Sequence, residues 1–412
     1  MPARPTLDRL LRYVRVATAA DDRSDAIPST PGQLDLADLL ADECRDLGLA
    51  DVDRTPEGTL YATVPATAGC EAPAVALFAH VDTSPEYPGD GVKPQVIEGY
   101  AGGDIELPRG PDLVIRADED PDLAGCVGHT LVTTDGTTLL GGDDKAGVAV
   151  IMTVAERLLD ADVPHGPVKL CFTCDEEIGR GAKYVDLDRL ECVCGYTLDG
   201  GGAGDIDVET FSADAATVVF TGVNIHPSIA KHRMVNAQRA LGAFLASLPR
   251  EGLAPETTAG RDGFVHPYSV GGGVERAEVG LILRDFETEK LGDYRRLVEE
   301  LAEKATAAAP GSRCEVTFRE QYRNMREGLV SEPRAVAFAE RAMADAGLTP
   351  HLGVIRGGTD GSQLTAMGLP TPNLSTGQHN PHSPLEWVSV EEMETAVGVV
   401  SRVLESWGRG IV

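Results

Sequence analysis

Basic residues are scarce in this chain. Its 412 residues carry 36 Lys and Arg against 65 Asp and Glu, a formal net charge of −29. A surface of that sign repels nucleic acid and anionic lipid, so neither is expected as a partner. Long apolar runs are missing as well: none approaches the roughly 20 residues that a membrane-spanning helix needs. The N-terminal stretch, Met-Pro-Ala-Arg-Pro-Thr-Leu-Asp, has no apolar core ahead of a cleavage site. No secretory signal is read there, and a cytoplasmic protein is expected. No internal repeat or low-complexity tract occurs. No Gly-x-Gly-x-x-Gly follows the first strand, which argues against a dinucleotide-binding enzyme. The eight cysteines include Cys171-Phe-Thr-Cys174 and Cys192-Val-Cys194. A zinc ribbon would want two residues inside the second pair, and both pairs lie in apolar runs that suit buried, reduced thiols.

What is present is ordinary globular composition at a length beyond one core, so two domains are expected. Thr6 to Ala17 and Gln33 to Leu47 read as amphipathic helices, and Leu60 to Val64 and Val75 to His80 as strands. The second strand is almost wholly apolar, as in a strand covered on both faces. It runs into His80-Val-Asp82. Residues two apart on an extended chain point the same way, which suits a metal-bound imidazole beside an acid that orients it. A solvated strand end explains that pair equally well. Leu140-Gly-Gly-Asp-Asp-Lys-Ala-Gly147 puts Asp143 and Asp144 in a tight loop ahead of an apolar helix that begins near Val148. An N-cap accounts for this stretch taken alone. Residues 90–135 read as irregular structure with short strands.

Val168 to Thr173 is another buried strand, leading to Asp175-Glu176-Glu177. Val193 to Leu198 is a further one and closes on Asp199. His80, Asp143, Glu177 and Asp199 therefore all fall at carboxyl ends of apolar strands, the edge where open α/β sheets bind ligands. From about 212 to 321 the order changes to β-α-β-β-α-β, that of a ferredoxin-like split unit. The expected strands are Ala213 to Thr221, Gly263 to Val270, Val279 to Arg284 and Cys314 to Arg319. The helices are Met234 to Leu248 and Lys290 to Ala309. The chain then returns with a helix at Pro333 to Ala346, a strand at His351 to Ile355 and a closing helix at Glu391 to Trp407. The expected fold is α/β, a mixed sheet flanked by helices formed by 1–211 and 322–412, with an inserted α+β lid at 212–321.

Taken together, His80-Val-Asp-Thr-Ser-Pro, Leu140-Gly-Gly-Asp-Asp-Lys-Ala-Gly, Asp175-Glu-Glu-Ile-Gly-Arg-Gly-Ala and Leu198-Asp-Gly-Gly form a recognisable series. Val223-Asn-Ile-His-Pro, Met234-Val-Asn-Ala, Arg356-Gly-Gly-Thr-Asp-Gly-Ser and Met367-Gly-Leu-Pro-Thr-Pro-Asn-Leu follow in order. The chain resembles the peptidase T family of tripeptide aminopeptidases, among the co-catalytic zinc exopeptidases related to aminoacylase and glutamate carboxypeptidase.

That resemblance implies two zinc ions bridged by Asp143, one completed by His80 and Asp199, the other by Glu177 and a C-terminal His. It implies Glu176 as general base, Asp82 as the acid orienting His80, and a cis peptide between Asp143 and Asp144. The last motif departs from the family pattern: Gln378-His-Asn-Pro-His-Ser-Pro-Leu-Glu-Trp387 lacks the two basic residues that usually follow the ligand. Counting back from Glu386-Trp387 selects His382, with His379 as the alternative. On the inserted unit, His226 is expected to donate to the oxyanion, and Asn236 and Lys231 to meet substrate. Arg356 is expected to grip the peptide's carboxylate. The implied substrates are short peptides, chiefly tripeptides cleaved at the N-terminal residue. Dipeptidase, carboxypeptidase and N-acyl amino acid deacylase activities are the alternatives on the same scaffold. Nothing in the sequence sets an oligomeric state.

Overall fold

A computed structural model describes residues 4–110, 112–160 and 163–410. Met1 to Ala3, where the N-terminal reading began, lie outside it. The chain divides into two compact units. One comprises Met1–Val208, Met325–Val354 and Thr359–Val412; the other comprises Glu209–Asn324 with Ile355–Gly358. The second unit thus extends a little beyond 212–321 and takes in Arg356.

The first unit is built on an 11-stranded mixed sheet. Four of its strands are parallel neighbours: Val168–Thr173, Val75–His80, Cys194–Gly201 and Asn373–His379. Antiparallel strands flank them on both sides, including Ala50–Arg54, which the sequence reading did not anticipate. Alternation along Val75–His80 explains why nearly every position is apolar. Val75, Leu77 and Ala79 enter one core, with the N-terminal, central and C-terminal helices. Ala76 and Phe78 enter a second core on the opposite face, with Cys171, Leu190 and Leu364. Each such side chain contributes about 1.5–3 kcal/mol on burial, so both faces must be covered.

The central helix, Gly142–Asp160, is buried along most of its length and departs from helical geometry only at Asp143 and Asp144. Gly147 permits its close approach to the sheet. A Cβ there would lie 1.8 Å from the Leu198 carbonyl oxygen and 2.4 Å from Asp144 Oδ1. Residues 90–135 are more ordered than their Gly and Pro content suggests. Gln95–Ile97 and Leu131–Thr133 join the large sheet, and a small core of Tyr100, Ile105, Leu123 and Leu131 closes around Trp387.

The second unit has four antiparallel strands in the order Phe264–Gly272, Arg276–Asp285, Ser212–Thr221, Arg313–Tyr322. Helices Ala237–Ser247 and Thr288–Ala308 cover one face of them. With its β-α-β-β-α-β chain order this is a ferredoxin-like arrangement. The first of these helices starts later than the Met234 expected, because Asn236 caps it: Asn236 Oδ1 accepts from the Gln238 N–H at 3.0 Å.

Candidate metal centre

The four parallel strands end on one edge, and register fixes what meets there. His80 is paired with Thr173, so Asp82 and the Asp175–Glu177 turn leave side by side. Phe78 is paired with Thr197, which brings Asp199 to the same edge, and Leu374 is paired with Leu198, which brings the 379–382 loop. The Asp143–Asp144 peptide is cis.

His80 Nε2 lies 3.1 Å from Asp143 Oδ1 and 3.7 Å from Asp199 Oδ1. His382 Nε2 lies 3.3 Å from Asp143 Oδ2 and 2.8 Å from Glu177 Oε2. The two oxygens of Asp143 therefore face two different imidazoles. Among the described residues, His80–Asp143–Asp199 and Asp143–Glu177–His382 each present donor atoms within 4.8 Å of one another, sharing Asp143.

The electrostatics suit a divalent cation in each set. Burial and the Asp143 charge raise Asp199 to about 6 and Glu177 to about 7. Burial works against charge on His80, yet its hydrogen-bonded partners Asp143, Asp199 and Asp82 raise it well above the usual imidazole range. Hydrogen bonds to Asp143 and Glu177 raise His382 to about 11. Glu177 Oε1 is buried and has no hydrogen-bond partner among the described residues. An orphaned acceptor amid acids that resist one another's ionisation is the situation a bound cation relieves.

The surrounding groups hold these side chains in place. The backbone carbonyl of Asp82 is 3.1 Å from His80 Nδ1 and its carboxylate 3.5 Å away. That carboxylate also accepts from the Glu176 and Glu177 N–H groups, at 3.1 and 3.0 Å. One acid thus ties the imidazole to the acidic turn. Asp175, with φ at 61°, points away from the cluster, accepting from Ser29 and Gln33. Of three consecutive acids, only Glu176 and Glu177 remain for the cluster. Burial, then the neighbouring Asp360, Asp199 and Glu177, push the Glu176 carboxyl well up, against the pull of His80.

The loop carrying Asp143 is cradled by Glu386, which is 1% exposed. Glu386 Oε2 accepts from Leu140 and Gly141 N–H at 2.7 and 2.8 Å, and Oε1 accepts from Asp143 N–H at 2.9 Å. Asp144 accepts from the His80 and Gly147 N–H groups at 3.2 and 3.1 Å, joining loop, strand and helix. Asp360 accepts from Thr173 Oγ1 at 2.7 Å and Ala182 N–H at 2.8 Å, bracing the acidic turn from behind.

The remaining expected residues lie elsewhere. His379 is not in the cluster: its ring sits between Asp122 and Glu392. His226, Asn236, Lys231 and Arg356 belong to the second unit. His226 Nδ1 accepts from the Ser228 N–H at 3.3 Å and lies 2.7 Å from Ser228 Oγ. Arg356 Nη1 donates to the Gly260 and Asp262 carbonyls at 2.7 and 2.8 Å, and the guanidinium lies 5.1 Å over the Phe211 ring. Its fork is braced rather than loose.

Residues 127–406 match the sequence profile of peptidase family M20/M25/M40. The chain is 44% identical over 400 residues to peptidase T of Salmonella dublin, with 97% of each chain covered. Peptidase T of Salmonella schwarzengrund is 43% identical over the same length and coverage. The chain belongs to the peptidase T branch of family M20/M25/M40. Among solved structures, aminopeptidase PepT from Bacillus cereus ATCC 10987 superposes with a TM-score of 0.75 at 23% identity, covering 98% of both chains. A tripeptidase from Staphylococcus aureus gives 0.77 at 21%, again covering 98% of both. These two likenesses carry the fold.

In this M20 peptidase, the groups that sequence reading missed are the supporting acids Glu386, Asp360 and Asp175. Glu386 had served only as a landmark for counting back to His382. For Glu386 and Asp360 the sequence signal is an acid lodged in an otherwise apolar or Gly-rich run; Asp175, followed by two more acids, carries none.

Proposed function

We propose that the chain is a two-metal aminopeptidase that removes the N-terminal residue of tripeptides. The observation that carries this is Asp143, one carboxylate facing both donor sets. His80 and Asp199 would hold one ion, Glu177 and His382 the other. Imidazole and carboxylate donors suit zinc, and also cobalt or manganese; zinc is the ion proposed. Two such ions would supply Lewis acidity toward the scissile carbonyl and would lower the pKa of the attacking water.

The chain's own groups do the rest. Glu176, partly buried and fixed at its backbone by Asp82, takes the water's proton and returns it to the departing amine. Asp82 keeps the His80 ring in orientation, so Nε2 faces the cluster. On the inserted unit, His226 is the proposed donor to the developing oxyanion. Asn236 contacts the peptide there, and the braced Arg356 fork binds its terminal carboxylate, which limits substrate length.

The kinship with peptidase T supports tripeptides as the substrates. All eight cysteines are free, which supports a reducing cytoplasmic setting. No helix among the described residues is long and apolar enough to cross a membrane. The test is a panel of free and N-acetylated di-, tri- and tetrapeptides with zinc-loaded enzyme. Free tripeptides should be cleaved fastest, at the first bond. Cleavage confined to acetylated peptides would establish a deacylase instead, and preferred release of the C-terminal residue a carboxypeptidase.

A further inference from the structure

His382 is delivered by a loop, not by a strand. It follows the Asn373–His379 strand, and both Asn380 and His382 have left-handed backbone, with φ of 51° and 59°. Its side chain is 37% exposed and meets Glu86, Asp143 and Glu177. Little apolar packing is available to fix such an imidazole.

Polar contacts from the 120–122 turn surround the loop. Asp120 Oδ2 accepts from Asn380 Nδ2 and from Trp387 Nε1, both at 2.8 Å. One oxygen thus ties residues on either side of His382. Asp122 Oδ2 lies 3.2 Å from His379 Nδ1, and Glu392 Oε2 lies 2.8 Å from His379 Nε2. The His379 ring is stacked on Trp387, with centroids 3.8 Å apart and planes 7° apart. Trp387 in turn is the buried floor of the small core formed by residues 100–131. The Gly- and Pro-rich excursion therefore contains a turn that grips the loop before and after its ligand residue.

We propose that the Asp120–Asp122 turn is a positioning element for His382, setting the affinity of the cation position that His382 completes while leaving the His80 position unchanged. The inference rests on the two-metal reading above. Loss of an outer partner to a metal ligand costs 10–100-fold in affinity in other metal sites, about what is expected here.

The experiment is calorimetric titration of the metal-free protein with Zn²⁺, alongside its thermal melting midpoint. Wild type should take up two ions. Asp120→Ala should bind one ion at wild-type affinity and the other about 10–100-fold more weakly. Asn380→Gly keeps the left-handed backbone accessible and removes only the amide link; it should weaken the same ion about threefold to tenfold. Unchanged affinity for both ions in both variants would overturn the proposal. So would parallel weakening of both ions with a lowered melting midpoint of the metal-free protein, the signature of a general structural role. If Asp120→Ala does not fold, Asn380→Gly decides alone, and an unchanged second affinity refutes. Fewer than two ions on wild type would instead overturn the two-metal reading itself.

Discussion

The two imidazoles that face Asp143 are held in unlike ways. His80 closes a central parallel strand, is 3% exposed, and has its backbone N–H bound by Asp144. His382 stands on a loop, is 37% exposed, and depends on polar contacts from a turn remote in sequence. One donor set takes its imidazole from a sheet strand; the other takes its imidazole from a loop. His80 is the more deeply buried imidazole, so its loss should cost the fold more, whereas the loss of His382 should fall more heavily on binding.

The sharpest way to break that contrast is to remove what the two halves share. Asp143→Ala should empty both positions and lower turnover by more than about 10⁴-fold. Glu176→Gln, by comparison, should keep both ions and lower kcat by about 10²–10⁴-fold. Metal analysis beside kinetics checks the pair, and a Glu176→Gln protein without metal would contradict the assignment.

Next in size is the difference between the imidazoles themselves. His80→Ala leaves Asp82, Asp143 and Asp199 crowded without their partner and should destabilise the metal-free fold by about 3 kcal/mol. His382→Ala also leaves Asp143 and Glu177 without that partner, but the side chain is 37% exposed. It should therefore destabilise the metal-free fold less than His80→Ala and cost the ion that His382 completes. Denaturant unfolding of both variants tests this; equal destabilisation would erase the distinction.

The smallest effect is a pH slope. Glu177 and Asp199 have folded pKa values raised, to about 7 and about 6. In the unfolded chain they ionise at roughly 4. Between those limits the metal-free fold holds more protons than the unfolded chain, so its stability should fall as pH rises from roughly 4 to 7. Saturating zinc should reverse the slope, because it binds the deprotonated ligands. Melting curves with and without zinc across that window provide the measurement.

Much of this was legible because the strands at the centre carry local signals. A fully apolar run of six residues before His80 announces a strand covered on both faces, and a spacing of two puts Asp82 on the side of the imidazole. The remainder was hidden for a physical reason. Glu386 reaches Leu140 and Asp143, Asp175 reaches Ser29, and Asp360 reaches Thr173, all across well over a hundred residues, and no periodicity encodes such pairs. Counting back from Glu386-Trp387 selects His382 over His379 but gives no physical reason for the choice. What separates them is the stack on Trp387 and the flanking acids, which exist only once the 90–135 excursion has folded. The extra strands at Ala50–Arg54 and Asp205–Thr210 lie at the periphery of the sheet pairing and are short and partly polar, so alternation left little trace.

The bare α-carbon at position 147 has a reach beyond its own turn. Because no side chain intervenes, the first turn after Asp144 rests directly on the carbonyl of Leu198, the residue before Asp199. The gap between the shared carboxylate and one terminal carboxylate is therefore gauged by main chain against main chain. A single added methyl would act as a shim in that joint, prising the two acids apart without altering any residue of the cluster.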